Sequence, residues 1–237
     1  MQEPKIKLPG LEKQYKMLLK HTQNFQGSSL FIGYGLEELV RINASSPGVG
    51  TVWYAVENEE ALLWSRILLG DIPNVKIRNM EFDSLDLKDS SVSLVYSQGA
   101  ISKKKRGKIL KDIKRVLTPD GLLSVGEVTS LRENVPAFVK DIWDRTGIVP
   151  LDADKVASYY NERNFQIVDE EDLSSTLKNY YTYYQRSLNT RKQDDEEEKN
   201  RQFRKLFGQI KHEVHAYLKL GGDKYIGFKA LLLKRSP

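Results

Sequence analysis

A short apolar run that ends in glycines and opens into a helix constrains this chain more than any other feature. It reads Ser29-Leu30-Phe31-Ile32-Gly33-Tyr34-Gly35-Leu36-Glu37-Glu38. Leu30, Phe31 and Ile32 have the unbroken apolarity of a parallel strand covered on both faces. Gly33 and Gly35 permit a tight turn and close approach of a ligand to the backbone. Leu39, Val40 and Ile42 supply the buried side of a short helix. Strand, glycine turn and helix is the arrangement by which α/β proteins set a nucleotide at a helix N-terminus. Glu57 stands 22 positions after Gly35, at the end of a second strand candidate, Thr51 to Val56. An acid at about that spacing commonly holds ribose hydroxyls. A third glycine is missing where Glu37 stands, and two glycines alone fit a bare turn better than a nucleotide site.

The rest of the first half keeps alternating. Leu11, Tyr15, Leu18 and Leu19 share one helical face after Pro9-Gly10, which predicts an opening amphipathic helix. Glu59 to Leu69 reads as a helix with Gly70 as its C-cap. Val75 to Arg78 is a third strand and Val92 to Tyr96 a fourth. Lys108 to Leu117 is a helix, Pro119-Asp120-Gly121 a turn, and Leu122 to Val128 a fifth strand. Strand-helix alternation of this kind argues for a parallel sheet with helices on both faces. Ligands of such sheets sit beyond the carboxyl ends of the strands.

The second half is more helical. Val135 to Arg145 is a helix, and Asp152 is a candidate N-cap for another through Tyr160. Phe165 to Val168 is a sixth strand. Ser174 or Ser175 opens a helix to about Leu188, and Asp194 to Lys219 reads as one long amphipathic helix. Tyr225 to Leu233 is a last strand with no helix after it.

Composition narrows the chemistry. The 237 residues hold no cysteine, which excludes disulfides, thiolate metal sites and thiol catalysis and suits a reducing, cytoplasmic setting. No apolar run approaches the roughly 18 residues of a membrane span, and the first residues lack the apolar core of a signal peptide. The net charge of +5 permits anionic partners without demanding them.

Three stretches resemble the class I methyltransferases that use S-adenosylmethionine. Phe31-Ile32-Gly33-Tyr34-Gly35 is similar to their cofactor loop. The segment from Glu81-Phe82-Asp83 to Ser93-Leu94-Val95 is similar to their acidic adenine-contact segment and strand four. Arg115-Val116-Leu117-Thr118-Pro119-Asp120-Gly121 is similar to the turn into strand five, and is the most specific of the three. The likeness covers residues 29–128 well and extends more loosely to the C-terminus. It implies a Rossmann-like, seven-stranded, mostly parallel sheet with an antiparallel last strand, helices on both faces and a helical cover. The implied division is an N-terminal helical segment (1–28), a cofactor-binding core (29–173), a helical insertion over the substrate (174–220) and a final core strand (221–237). The insertion is where the quinone, tocopherol and sarcosine methyltransferase branch carries its own.

Carried over position by position, the resemblance implies that Gly33, Tyr34 and Gly35 approach the methionine part of the cofactor. Glu57 would accept from the ribose hydroxyls, Glu81 and Phe82 would meet the adenine, and Tyr96 and Ser97 would lie near the sulfonium and the substrate. Three features depart from the family pattern. Glu37 replaces the third glycine, Val92-Ser93 replaces a phenylalanine-aspartate pair, and Asp120 replaces the first glycine of the strand-five turn.

Methyl transfer from a sulfonium is an in-line displacement that needs alignment in a dry cavity, with no nucleophilic residue or metal. An acceptor that must lose a proton needs a base within reach, for which Glu127 and a tyrosine of the cover are the candidates. Aromatic faces hold cations, which singles out Tyr34 and Tyr96. Lys103-Lys104-Lys105-Arg106 is either a solvated loop or a patch for an anionic substrate. The rings of Tyr180, Tyr181, Tyr183 and Tyr184 are mostly core, with one or two free to line an acceptor pocket. Asp194 to Glu198 reads as a solvated helix start. His212 and His215, three apart and without a third ligand, argue against a metal site. The expected function is methyl transfer to a small molecule, with no nucleic-acid module in view. The alternatives are a tRNA or protein methyltransferase, or a cofactor-binding protein of the same fold without methyl transfer.

Overall fold

The computed structural model of the chain describes residues 5–191 and 201–236. The Asp194 to Glu198 run lies outside them. Eight strands form one sheet: β1 (Gly27–Ile32), β2 (Val49–Val56), β3 (Val75–Asn79), β4 (Val92–Gln98), β5 (Leu117–Ser130), β6 (Leu151–Asp152), β7 (Phe165–Asp172) and β8 (Ile226–Arg235). Their order is β3-β2-β1-β4-β5-β8-β7, with β6 pairing β5 off that path. The pairs β1/β2, β1/β4, β2/β3, β4/β5 and β5/β6 are parallel, and β8 runs antiparallel to both β5 and β7. The order reverses between β1 and β4, so a crevice opens there at the carboxyl ends.

The helices are α1 (Lys13–His21), α2 (Glu37–Ala44), α3 (Glu59–Leu69), α4 (Arg106–Val116), α5 (Ala137–Thr146), α6 (Val156–Asn161), α7 (Leu177–Arg191) and α8 (Arg201–Lys219). Both sheet faces are covered because the strands are apolar on both. Phe31, Tyr54, Leu94, Tyr96, Phe228 and Leu232 face one core with α1, α2, α3, α5, α7 and α8. Leu30, Ile32, Val95, Val125, Leu231 and Leu233 face the other with α4 and α6. Alternate residues of β1 and β4 thus divide between two cores, as a two-residue period requires. Asn58, not singled out from the sequence, caps α3 by accepting from the Ala61 amide at 2.7 Å.

Three local expectations are corrected. Pro119-Asp120-Gly121 does not precede the fifth strand but lies within it, as a bulge between the Val92–Leu117 and Leu94–Leu122 pairings with Asp120 at φ +63°. Asp152 is not a helix cap: it pairs with Ser130 in β6, and α6 begins four residues later. The sheet has eight strands rather than seven, the additional one being the two-residue β6.

Candidate functional site

The glycine turn follows β1 at the reversal of strand order. Gly33 has φ +124°, and a Cβ there would come within 2.7 Å of the Ala100 Cβ, in the loop after β4. Only glycine lets the two loops approach this closely. The Gly33 amide donates to the Ala55 carbonyl at 3.1 Å, which ties the turn to β2. Tyr34 projects outward with 61% of its surface exposed. Glu37 begins α2 and turns inward, accepting from the Tyr54 hydroxyl at 3.1 Å and the Ser65 hydroxyl at 2.8 Å. The Leu36 amide in turn donates to the Tyr54 oxygen at 3.3 Å. The side chain that replaces the third glycine is therefore absorbed beneath the turn, where an acid also suits the helix N-terminus.

Beside the turn lie the ends of β2 and β3. Glu57 follows β2 directly and pairs with Lys103. The Lys103 ammonium also stands 5.1 Å from the centre of the Phe82 ring, and Phe82 itself is buried. Asp83 pairs with Lys105 at 3.1 Å, which lowers the carboxyl and raises the ammonium from their ordinary values. Glu81 is exposed at the end of the same segment and adds its charge to the field at Lys105. Glu57, Glu81 and Phe82 are thus brought to one wall of the crevice. Three of the four cations in the basic run after β4 are paired within the protein: Lys103 holds Glu57, Lys105 holds Asp83, and Arg106 is buried against Glu127 at 2.9 Å.

The β4 wall differs from the expectation for its side chains. The Tyr96 ring has no exposed surface. It meets Phe31 at 5.4 Å and the edge of Tyr15 at 6.0 Å, and burial pushes its hydroxyl well above the ordinary value. The hydroxyl donates to Gln98 Oε1 at 2.7 Å. Ser97 is also fully buried, its carbonyl accepting from Gln14 Nε2 at 3.0 Å. The structure brings both residues beneath the crevice and presents Gln98, Gly99 and Ala100 at its mouth. Gln98 was not singled out from the sequence. Its Nε2 donates to the carbonyls of Pro9 at 2.7 Å and Leu11 at 3.0 Å, pinning the N-terminal segment across the strand ends. An amide side chain at the carboxyl end of the strand was the available signal.

Glu127 does not serve as a base. It lies inside β5, fully buried, and its oxygens are taken. Oε1 accepts from the Tyr160 hydroxyl at 2.5 Å and pairs with Arg106, while Oε2 accepts from Ser102. This carboxylate fastens α4 and α6 to the sheet.

The last wall is α7 and α8. Tyr181 and Tyr217 are buried and stacked at 4.3 Å, whereas Tyr180, Tyr183 and Tyr184 keep some surface. Tyr180 meets Tyr181 at 4.9 Å and Tyr184 at 5.0 Å. The Tyr184 hydroxyl donates to the Lys7 carbonyl at 3.1 Å, and its titration feels Tyr34 of the glycine turn. The N-terminal segment thus ties α7 to the neighbourhood of the turn. The charge of Glu213 on α8 raises the hydroxyls of Tyr180, Tyr181 and Tyr184, and burial pushes its own carboxyl up to about 7. His212 pairs instead with Asp141 of α5 at 3.1 Å. No group of metal-ligating side chains occurs among the described residues, and no described helix is long and apolar enough to cross a membrane.

Residues 30–125 match the sequence model of a family described as a methyltransferase domain. No curated protein matches the chain in sequence. Among solved structures, it is similar to phosphoethanolamine N-methyltransferase 2 of Haemonchus contortus in complex with S-adenosyl-L-methionine: TM-score 0.73, 16% identity, 97% of this chain and 54% of that one. It is similar to the cyclopropane synthase MmaA2 of Mycobacterium tuberculosis, with TM-score 0.74, 13% identity and coverage of 94% and 85%. It is also similar to the 4+2 cyclase SpnF, with TM-score 0.71, 17% identity and coverage of 95% and 80%. The resemblance to the class I methyltransferases, and their Rossmann-like fold, therefore hold for this chain.

Proposed function

We propose that this chain, whose residues 30–125 match the model of a methyltransferase domain, binds S-adenosylmethionine in the crevice between β1 and β4 and transfers its methyl group to a small molecule. One observation carries the reading: the glycine turn sits at the reversal of strand order, with Glu57 and Phe82 on the adjoining strand ends. The residues suit the cofactor. Gly33 and Gly35 leave backbone room for its methionine part, and Glu57 offers a carboxylate to ribose hydroxyls. Phe82 and Glu81 offer an apolar face and an acceptor to adenine. Tyr96 and Ser97 act from below, Tyr96 by holding Gln98 at the mouth. When bound, the cofactor supplies an electrophilic methyl group. The protein's own part is to orient the partners and exclude water. Residues 174–220 are the cover that does the latter. Action in the cytoplasm, read from the cysteine-free sequence, belongs to the same proposal.

Calorimetric titration with S-adenosylmethionine and, separately, S-adenosylhomocysteine tests the cofactor site. Micromolar binding of both, abolished in Gly33→Val, is expected; no binding up to millimolar overturns the proposal. A second reading, cofactor binding without methyl transfer, is favoured by the likeness to a protein described as a cyclase. Turnover on candidate acceptors separates the two.

A further inference from the structure

A cavity of about 430 Å³ opens at the end of the sheet opposite the crevice assigned to the cofactor. It lies between the last turns of α1 and α2, at the amino ends of β1 and β2. Leu18, Phe25, Val49 and Leu94 give it an apolar floor. Its rim hydroxyls are already used: Thr22 donates to the Leu18 carbonyl at 2.9 Å and Ser46 to the Ile42 carbonyl at 3.0 Å. Two donors on its wall are not. Tyr15 and Asn43 are each 6% exposed, and both line the cavity. The Tyr15 ring meets the edge of Tyr96 at 6.0 Å, but its hydroxyl has no hydrogen-bond partner among the described residues. Asn43 Oδ1 accepts from the Ser29 hydroxyl at 2.6 Å, which turns Nδ2 away from Ser29 to where no described acceptor meets it. Neither donor is sealed from solvent, so each opens into the cavity it lines. Polar atoms of such enclosed residues are ordinarily hydrogen-bonded.

The lining also fixes the charge of what fits. No lining residue is charged, although 29% of the chain is, so an ion would enter without a counter-charge. Anions are disfavoured further, because two helices present their C-terminal ends here. An apolar floor with a few converging polar groups is the ordinary make-up of a small-molecule pocket, and the volume falls within the usual range. We infer that this cavity is a second ligand site, separate from the cofactor crevice, and that it takes an uncharged molecule with an apolar body and hydrogen-bond acceptors at one edge, such as a lactone or a cyclic ketone. Its apolar body would lie on Leu18, Phe25, Val49 and Leu94, and its acceptors would meet the Tyr15 hydroxyl and Asn43 Nδ2. The inference stands on the cavity alone and holds whatever the crevice binds.

The test uses coumarin, an uncharged bicyclic lactone with two acceptor oxygens and no donor, and its anionic analogue coumarin-3-carboxylate. Both are titrated into the full chain labelled with nitrogen-15, and amide shifts are followed by nuclear magnetic resonance. Expected for coumarin is saturable binding with a dissociation constant on the order of 1 mM, as suits a ligand of this size. The Asn43 side-chain amide and the backbone amides of Gln23, Asn24, Ser46 and Val49 should move, and those of Gly33, Gly35 and Gly99 in the crevice should not. The carboxylate should leave all of them in place. Tyr15→Phe removes only a hydroxyl that no described residue uses, so the fold should keep its denaturation midpoint while coumarin affinity falls about fivefold, the worth of one hydrogen bond. Leu19→Trp, at a lining position that is 45% exposed, should fill the cavity and abolish the shifts without disturbing the core. Absence of coumarin binding makes this a hydrated pocket only and overturns the inference. Shifts at Gly33 and Gly35 in place of Asn43, equal binding of the carboxylate, or an affinity unchanged in Tyr15→Phe or Leu19→Trp overturns it as well.

Discussion

Glu213 carries a stability prediction at the scale of a single residue. Its carboxyl is raised by burial from 4.5 to about 7, so the folded protein holds a proton that the unfolded chain releases earlier. The stabilisation is complete below pH 4.5 and is lost as pH rises through about 7. The full effect is on the order of 3 kcal/mol, at about 1.4 kcal/mol for each pH unit between those two values. Glu213→Gln, which cannot ionise, should therefore be more stable than the wild type at pH 8.5 and nearly equal to it at pH 5, as read by urea denaturation. An equal difference at both values would count against a desolvated carboxyl. Glu57 is a separate case, since its Lys103 partner is about one-third exposed and the pair contributes little to stability. Its removal should act on binding. Glu57→Ala should weaken S-adenosylhomocysteine by roughly tenfold, the size of a hydrogen bond to a charged group, with little change in melting temperature. A melting temperature that drops while affinity holds would make Glu57 structural.

At the scale of elements, the fastening of α4 and α6 to β5 rests on one buried ion pair. Glu127→Gln keeps the shape but leaves Arg106 buried without its counter-charge, a loss of about 3–5 kcal/mol in such pairs. Arg106→Met combined with Glu127→Leu should recover much of it, because the surroundings are apolar. Denaturant midpoints of the single and double variants check this, and an additive double variant would refute the coupling. The same pair shows where sequence reading stops. β1, β2 and the helices after them were legible because their apolar periodicity and glycines are local signals. Glu127 looked like a base because it stands at the carboxyl end of a strand signal, but its partners Arg106, Ser102 and Tyr160 come from three distant stretches. Asp152 likewise looked like a cap, since nothing local reveals that Ser130 offers it a strand partner. The glycine turn and Glu57 were legible as a site. The role of Gln98 was not, because it depends on which segment folds over it.

At the scale of the whole molecule, the segment from Lys5 to Leu11 links three parts that are distant in sequence. Gln98 holds it to the sheet, the Tyr184 hydroxyl holds it to the cover, and Leu8 lies 3.4 Å from where a Cβ on Gly35 would stand. Its own turn is braced by Glu12, whose carboxylate accepts from the Lys5 amide at 2.8 Å, and by burial of Ile6. A strap attached to both the sheet and the cover should transmit opening from one to the other. Gln98→Ala removes two hydrogen bonds to the strap at about 1 kcal/mol each, enough to raise local opening tenfold or more. Amides of residues 6–11 should then exchange at least tenfold faster with solvent deuterium. If the strap couples the parts, amides of α7 near Tyr184 should speed up with them, while those of β1 and the rest of β4 stay protected. Saturating S-adenosylhomocysteine should slow both segments together in the wild type, because a ligand in the crevice is covered by both. Faster exchange in the strap alone would show that the cover is held by its own packing, through Tyr181 on Tyr217, and that the two close independently.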